Sequence, residues 1–279
     1  MKQGFKSDTR IAGTKAVGRA LRIARTFTDA RPEWTLAALS RELGLSKPTA
    51  LRLLTALERE GIVTRHEASG AYRLGPAAIE LGARAQRSNS IASAARPEME
   101  NLTRATGETA SIEILSDDET VILDEVQGGH LIGTSPSVGT RWPAHATSTG
   151  KVLLAAALER EPGLVKRLTR RSNGRLRRLT PSTIVTAARL TAELGRVSRA
   201  GYSTARGELE EGYVAVGAPV RNHAGQVVAA VSLGGPSTRF TNRRLPRLTK
   251  LVREAAAGVS QRLGFSARSA PAPSRESGS

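Results

Sequence analysis

The 279-residue sequence contains no cysteine, so it can form neither disulfide bonds nor thiolate metal sites. Histidine is also scarce. The four histidines, at positions 66, 130, 145 and 223, are too far apart in sequence to show the spacing of metal ligands. We therefore expect no metal and no other cofactor.

Long apolar stretches are absent as well. No run reaches the roughly 18 apolar residues that a membrane span needs, and residues 1–8 lack the apolar core of a signal peptide. These absences predict a cytoplasmic protein, associated with the nucleoid if it binds DNA, with no membrane partner. The polar segment 1–14 and the Ser/Pro/Ala-rich segment 266–279 are expected to be disordered tails because they have little to bury.

Acidic residues are few relative to basic ones, 25 against 42, and the formal net charge is +17. Residues 1–90 hold 16 basic and 8 acidic side chains, whereas residues 91–159 hold 4 and 10. The N-terminal third is therefore suited to nucleic-acid phosphates. The basic run 166–178 is either a second nucleic-acid contact or a solvated helix end and loop. Charge runs of this kind are more often solvated.

Residues 35–54 have the pattern of two short helices joined by a tight turn. Leu36, Leu39 and Leu43 recur at helical spacing, and Gly44 follows where a left-handed residue commonly ends a helix. We expect Ser46 to cap the next helix by accepting a hydrogen bond from a free backbone N–H. This layout is that of a helix-turn-helix, although two ordinary surface helices would give a similar pattern.

The second helix of this pair is predicted to bury Leu51, Leu54 and Leu57. Because Arg52 lies off that stripe, it can reach a guanine edge or a phosphate. The polar and basic residues near the helix start suit phosphates. The candidate DNA-contact residues of this helix are Ser46, Lys47, Thr49 and Arg52.

The flanking segments complete a winged helix-turn-helix over residues 15–75. Residues 62–65 and 72–74 are predicted strands around a turn, with Arg65 and Arg73 placed near phosphates and His66 in a solvated loop. Upstream, one helix is predicted to complete the core with an apolar stripe formed by Val17, Ala20, Leu21, Ala24 and Phe27.

Residues 76–106 are predicted to be a helical linker and the start of the next domain, with a new helix beginning at Arg96–Pro97. This linker is well placed to pair two subunits. Residues 107–265 carry two hairpins, one on each side of helices at 149–158 and 181–200, the latter capped by Thr180. Hairpins with inserted helices indicate an α+β, sensor-like domain whose sheet is mostly antiparallel.

The chain resembles the IclR family of bacterial transcriptional regulators. Matching segments occur in family order over about residues 15–265. They include 46–57, 72–75, 106–109, 139–145, 150–155, 179–184, 201–202, 208–212, 218–220 and 230–236. The resemblance implies a GAF-like effector-binding domain, homodimers or homotetramers on a pseudo-palindromic operator in double-stranded DNA, and a small organic acid or aromatic metabolite as effector.

The resemblance also implies an effector site. Its residues lie on the loop and helix start at 145–150 and on the strands that follow, with Glu208 closing or bracing the pocket. Alanines stand where some members have more polar residues, so we expect an effector larger or more apolar than a very small keto acid. Arg141 and Trp142 could meet it at the mouth. The candidate effector residues are Ser148, Thr149, Gly150, Ala205, Glu208, Ala215, Ser232 and Gly234.

A small-molecule enzyme using the C-terminal pocket is the alternative. Ser148 and Lys151 have the Ser-x-x-Lys spacing, but the partner motifs of that chemistry are missing. Gly150–Lys151 lacks the remaining residues of a phosphate-binding loop. The sequence therefore predicts a ligand-responsive, sequence-specific DNA-binding regulator, with repression as the default, and no enzyme.

Overall fold

The computed structural model describes residues 14–28, 31–87, 90–129, 138–170 and 174–266. The expected tails fall outside these residues apart from Thr14 and Ser266. The chain divides between residues 88 and 89 into two compact units, and each is described by itself. This division lies within the segment 76–106, which the sequence predicts to link the domains.

The N-terminal unit is a small helical core with a two-stranded wing. Its core contains Ile23, Leu39 and Leu54, each fully buried, and Trp34. The wing strands pair antiparallel, with Val63 opposite Leu74. The elements are α1 (Thr14–Thr26), α2 (Leu36–Leu43), α3 (Lys47–Arg59), β1 (Val63–Arg65), β2 (Tyr72–Leu74) and α4 (Pro76–Arg87).

The predicted apolar stripes of this unit are partly wrong. In α1 the core takes Ile23, followed by Phe27 just beyond the helix end, while Val17 and Leu21 are 60% and 55% exposed. In α3 the core takes Leu53 and Leu54 while Leu51 is 45% exposed, and Leu57 is half-buried. Both helices carry more than one apolar row, and periodicity alone does not tell which row meets the core. The affected residues are Val17, Leu21 and Leu51.

The turn between α2 and α3 is confirmed, but its cap differs from the prediction. Gly44 ends α2 in the left-handed conformation, with φ 62°. Ser46 is the N-cap residue of α3 but accepts no capping hydrogen bond. Its hydroxyl instead donates to Thr49 Oγ1 at 2.9 Å. The two hydroxyls therefore form a pair on the surface of the first turn of α3.

The C-terminal unit is built on one antiparallel six-stranded sheet with the strand order β5-β4-β3-β8-β7-β6. The two predicted hairpins are present, and two further strands at the sheet edges were not predicted. The strands are β3 (Thr109–Ser116), β4 (Glu119–Val126), β5 (Arg141–Pro143), β6 (Ser203–Arg206), β7 (Tyr213–Arg221) and β8 (Val227–Pro236).

Helices cover both faces of this sheet. One face packs on α5 and α9, where Met99, Val231 and Val252 are fully buried. The other face packs on α6, and α7 and α8 pack against α6 in turn, in a cluster where Leu154 and Leu190 are fully buried. The fold is thus α+β, as expected. The helices are α5 (Ser90–Thr106), α6 (Ser148–Arg160), α7 (Leu164–Arg170), α8 (Ala187–Ala200) and α9 (Leu245–Arg262).

Two predicted helix starts in this unit are wrong. Pro97 does not begin a helix but lies inside α5, where Ala95 and Met99 on either side are fully buried and hold the helix together through packing. Helix α8 begins at Ala187, capped by Thr186, whose hydroxyl accepts from Arg189 N. The hydroxyl of Thr180 instead donates to Gly207 O.

Among the described residues, no helix is long and apolar enough to cross a membrane.

Candidate DNA-contact surface and effector site

The first turns of α3 present polar and basic side chains to solvent. Ser46, Lys47 and Arg52 are exposed, and Thr49 is half-buried. Within the described part of the chain, neither Lys47 nor Arg52 has a carboxylate within ion-pair distance. Two free cations near the start of a helix can meet phosphates or base edges without first breaking an ion pair.

The wing is fixed to the helical core by Trp34. The backbones of Trp34 and Tyr72 exchange two hydrogen bonds, and Trp34 Nε1 donates to Thr26 O. Arg65 Nε donates to Gly70 O within the wing, whereas Arg73 is exposed. Arg73 is thus free to contact phosphate, and Arg65 also stiffens the turn. Trp34 was not predicted from the sequence, although a lone tryptophan before a helix pair is a usable signal.

The predicted effector segment is the start of α6, which is anchored at several points. Thr147 caps the helix by accepting from Gly150 N at 2.9 Å. Ser203 Oγ donates to Ser148 O at 2.6 Å. A Cβ at Gly217 on β7 would lie 2.9 Å from Thr149 N, so the helix start rests directly on the strand. The N–H groups of Gly150 and Lys151 are both taken by Thr147.

The predicted strand residues do meet on one face of the sheet. Ala205, Ala215 and Gly234 lie opposite one another on β6, β7 and β8. Ser232 is opposite Gly217 one step along β8. The hydroxyl of Tyr213 lies against the Cα of Gly234, where any side chain would collide with it. The structure therefore brings these small residues together beside the start of α6, with an aromatic ring across them.

A buried carboxyl group, missed from the sequence, lies on the same face. Glu113 on β3 accepts hydrogen bonds from Thr149 at 2.6 Å and Ser111 at 3.0 Å. Burial raises the pKa of Glu113, and the Thr149 and Ser111 hydroxyls offset part of that rise. In the sequence, Ser111 and Glu113 look like the solvent-facing half of an alternating strand. They are buried because helices cover both faces.

Lys151, one residue into α6 from the predicted site, is the centre of a buried ionic cluster. Its side chain is 1% exposed, and Nζ donates to Glu208 Oε1 at 2.6 Å and to Thr204 O at 2.7 Å. Glu193 Oε1 lies 3.3 Å from the same nitrogen. Glu208 therefore braces α6 through Lys151, and Glu193 ties in α8. The sequence signal for this cluster is a single lysine directly before the apolar stretch 152–158.

The expected mouth residues lie at the edge of the sheet on β5. Arg141 Nε donates to Glu119 Oε2 at 2.8 Å, so this guanidinium is held by a neighbouring strand. Trp142 is 36% exposed. Neither side chain is placed against the row of small residues by any contact among the described residues, and their role at the mouth stays a prediction.

Together these features define a class of protein. The N-terminal unit is a winged helix-turn-helix whose helix α3 carries two cations with no ion-pair partner among the described residues. The C-terminal unit is an antiparallel sheet whose polar, small-residue face is covered by α6. Within the described residues, no cluster of acidic or histidine side chains could hold a metal ion. A DNA-reading unit joined to a separate α/β unit is the arrangement of a transcriptional regulator.

Comparison with known proteins identifies the family. The model of the C-terminal domain of bacterial IclR transcriptional regulators matches residues 83–261, and the IclR helix-turn-helix domain matches residues 16–67. The chain belongs to the IclR family and is a DNA-binding transcriptional regulator, not an enzyme.

Three similar proteins illustrate the relationship. The HTH-type transcriptional regulator XynR of Escherichia coli K12 is 31% identical over 91% of this chain and 98% of its own. The transcriptional repressor IclR of the same organism is 29% identical over 90% of each chain. An IclR homologue from Microbacterium hydrocarbonoxydans, solved with 4-hydroxybenzoate, is 28% identical with a TM-score of 0.75, covering 89% of this chain and 98% of its own.

The raised pKa of Glu113 predicts a pH-dependent cost of burying this carboxyl group. The folded protein binds the Glu113 proton more tightly than the unfolded chain does. The protonated carboxyl group therefore makes its full contribution to the free energy of unfolding below the ordinary carboxyl pKa. It is lost as the pH rises through the folded-state pKa. Glu113→Gln removes the ionisable group and with it this pH-dependent contribution to the free energy of unfolding. The free energy of unfolding of the variant should therefore improve relative to the wild type as the pH rises from about 4 to 8.

Denaturant unfolding across that pH range measures the difference. Glu254→Gln, on the exposed side of α9, is the matched control for the loss of one carboxyl group, and its difference from the wild type at each pH is subtracted. A difference for Glu113→Gln that does not change with pH would contradict the assignment.

Proposed function

We propose that this regulator is a ligand-responsive repressor of a metabolic operon that reads a pseudo-palindromic operator as a homodimer or homotetramer. The observation that carries the DNA part is the exposed surface of α3, where Lys47 and Arg52 have no carboxylate partner among the described residues. Repression is supported by relatives that are themselves named repressors, such as IclR of Escherichia coli.

In this proposal Arg52 reads a base edge, while Ser46, Lys47 and Thr49 contact the backbone around the helix start. Arg73 and Arg65 on the wing add phosphate contacts. Because phosphate contacts fix the register and base contacts supply the specificity, loss of Arg52 should affect sequence preference more than loss of the wing arginines.

The proposed effector site is the sheet face beside the start of α6. Its polar groups are Ser148, Thr149, Ser232 and Glu208, and its small residues are Gly150, Ala205, Ala215 and Gly234. The ring of Tyr213 lies across the row of small side chains, so a ligand with a ring or a branched chain would take the place of this ring or stack against it. The 4-hydroxybenzoate in one relative's structure is of this kind. We infer a small organic acid or aromatic metabolite, larger or more apolar than glyoxylate or pyruvate.

The proposed control is a shift in population. An effector that binds one arrangement of the subunits better than another changes the separation of the two recognition helices through the helices of segment 76–106. Since half-sites lie a whole number of DNA turns apart, a small change in that separation decides whether both helices fit.

The DNA-binding proposal is tested with a duplex taken from upstream of the gene and a scrambled duplex of equal length. The upstream duplex should bind more tightly, with an affinity that falls steeply as salt is added. Arg52→Ala should weaken this specific binding by roughly 1–3 kcal/mol and reduce the preference. Arg59→Ala is the control, because Arg59 is exposed at the other end of α3. This variant should keep the wild-type affinity and the preference for the upstream duplex. Equal, salt-insensitive binding of both duplexes would contradict the proposal.

The effector proposal is tested by titration calorimetry with glyoxylate, pyruvate and 4-hydroxybenzoate. We expect the two keto acids to bind only at about millimolar concentration or more weakly, because Ala205 and Ala215 supply no polar anchor. Ala215→Leu fills the proposed space and should weaken any larger ligand that binds. Micromolar binding of glyoxylate or pyruvate would overturn the inferred size class.

A further inference from the structure

The C-terminal unit carries a strongly basic surface that the proposed function does not use. Residues 160–200 hold 11 basic and 2 acidic side chains. Six of the cations are exposed and lie on α7, on the loop that follows it, and on the first turn of α8. We call them the basic surface: Lys166, Arg170, Arg175, Arg177, Arg178 and Arg189.

The carboxylates near the basic surface are Asp117, Asp118, Glu161 and Glu193, and the two aspartates lie close enough to Arg167 on α7 to interact with it electrostatically. Glu161 is paired with Arg167 at 2.8 Å. Glu193 is shared between Lys151 and Arg196. None of the six cations comes within ion-pair distance of a described carboxylate. Elsewhere in the unit, several arginines do form such pairs, namely Arg96, Arg141, Arg239 and Arg262.

The backbone that carries these cations is held in place. Gly174 N donates to Thr169 O at 3.0 Å, which links the loop to the end of α7. Arg175 pairs with Thr186 in an antiparallel bridge, and Leu176 N donates to Val185 O at 2.9 Å. Residues 174–176 are thereby held beside the start of α8. Like charges held together repel one another, so such a surface is stabilised by an anionic partner.

We propose that the basic surface is a second, sequence-independent contact with the phosphates of DNA. Cations spread over two helices and a loop match a row of phosphates better than one small anion, which needs donors that converge on a point. DNA is the favoured polyanion because the winged helix-turn-helix of the same chain already binds it. Because both surfaces belong to one chain, binding of DNA by the helix-turn-helix raises the effective DNA concentration at the basic surface to about millimolar. A weak contact can then contribute to the affinity. The proposal rests on the DNA-binding function.

The test compares two triple variants of the full-length protein that remove equal charge. One is Arg170→Gln/Arg175→Gln/Arg177→Gln in the basic surface. The other, Arg243→Gln/Arg247→Gln/Arg253→Gln, removes three exposed arginines at α9 and the turn before it. Affinity for a scrambled duplex is measured between about 50 and 200 mM salt. Both triples carry surface changes, and thermal unfolding checks that they remain folded.

The basic-surface triple should lower the slope of log affinity against log salt by roughly two to three, since each lost phosphate contact contributes about 0.9. Its affinity at the low-salt end should fall on the order of 100-fold, while the α9 triple keeps the wild-type slope. A basic-surface triple that behaves like the wild type, or equal slope losses in both triples, would overturn the proposal. So would a slope loss found with a single-stranded RNA of equal length but not with the duplex.

Failure of this proposal is distinguishable from failure of the proposed function. Lys47→Ala/Arg52→Ala should abolish the preference for the upstream duplex while the basic surface keeps its share of the salt slope. If the wild type shows no preference for the upstream duplex, operator reading fails. The comparison of the two triples on the scrambled duplex still decides the role of the basic surface.

Discussion

The buried amine of Lys151 is the interaction on which the C-terminal unit depends. It joins three elements, because its partners Glu193 and Glu208 and the carbonyl of Thr204 come from α8, the segment between β6 and β7, and β6 itself. A lysine 1% exposed would be costly alone, and two carboxylates near it would repel each other. Lys151 and Glu208 compensate each other's buried charge, and Glu193 is shared with Arg196, so the cluster fixes how α6 lies on the sheet.

This arrangement places the proposed effector site next to the ionic cluster that holds α6. Thr149 binds Glu113 on β3, and two residues later Lys151 binds the ionic cluster. A ligand that moves the start of α6 therefore acts on the central sheet and on α8 at once. The N-terminal unit differs, since its proposed DNA-contact cations Lys47 and Arg52 are exposed and have no ion-pair partner among the described residues. The ionic cluster stabilises the C-terminal unit, whereas the exposed cations of the N-terminal unit are available to a binding partner.

The sequence predicted the turn at Gly44, the wing and the antiparallel hairpins, because these follow from local rules of glycine conformation and alternation. It misassigned Leu51, since a helix with two apolar rows buries the row that tertiary packing selects. It missed Glu113 because a charged residue in an alternating strand normally faces water, and the second helical layer that buries it is not a local property. The family resemblance located the small-residue row, which composition alone would not have marked.

The most direct test of this account is the stability of Lys151→Met, which keeps the side-chain volume and removes the charge. Glu193 keeps its ion pair with Arg196, but Glu208 is left buried without its cation, which should lower the free energy of unfolding of the C-terminal unit by about 3–5 kcal/mol in denaturant titration. Lys166→Met, exposed on the adjacent helix α7, should change it by no more than about 0.5 kcal/mol. A Lys151→Met protein as stable as the wild type, or more stable, would contradict the central role of the cluster.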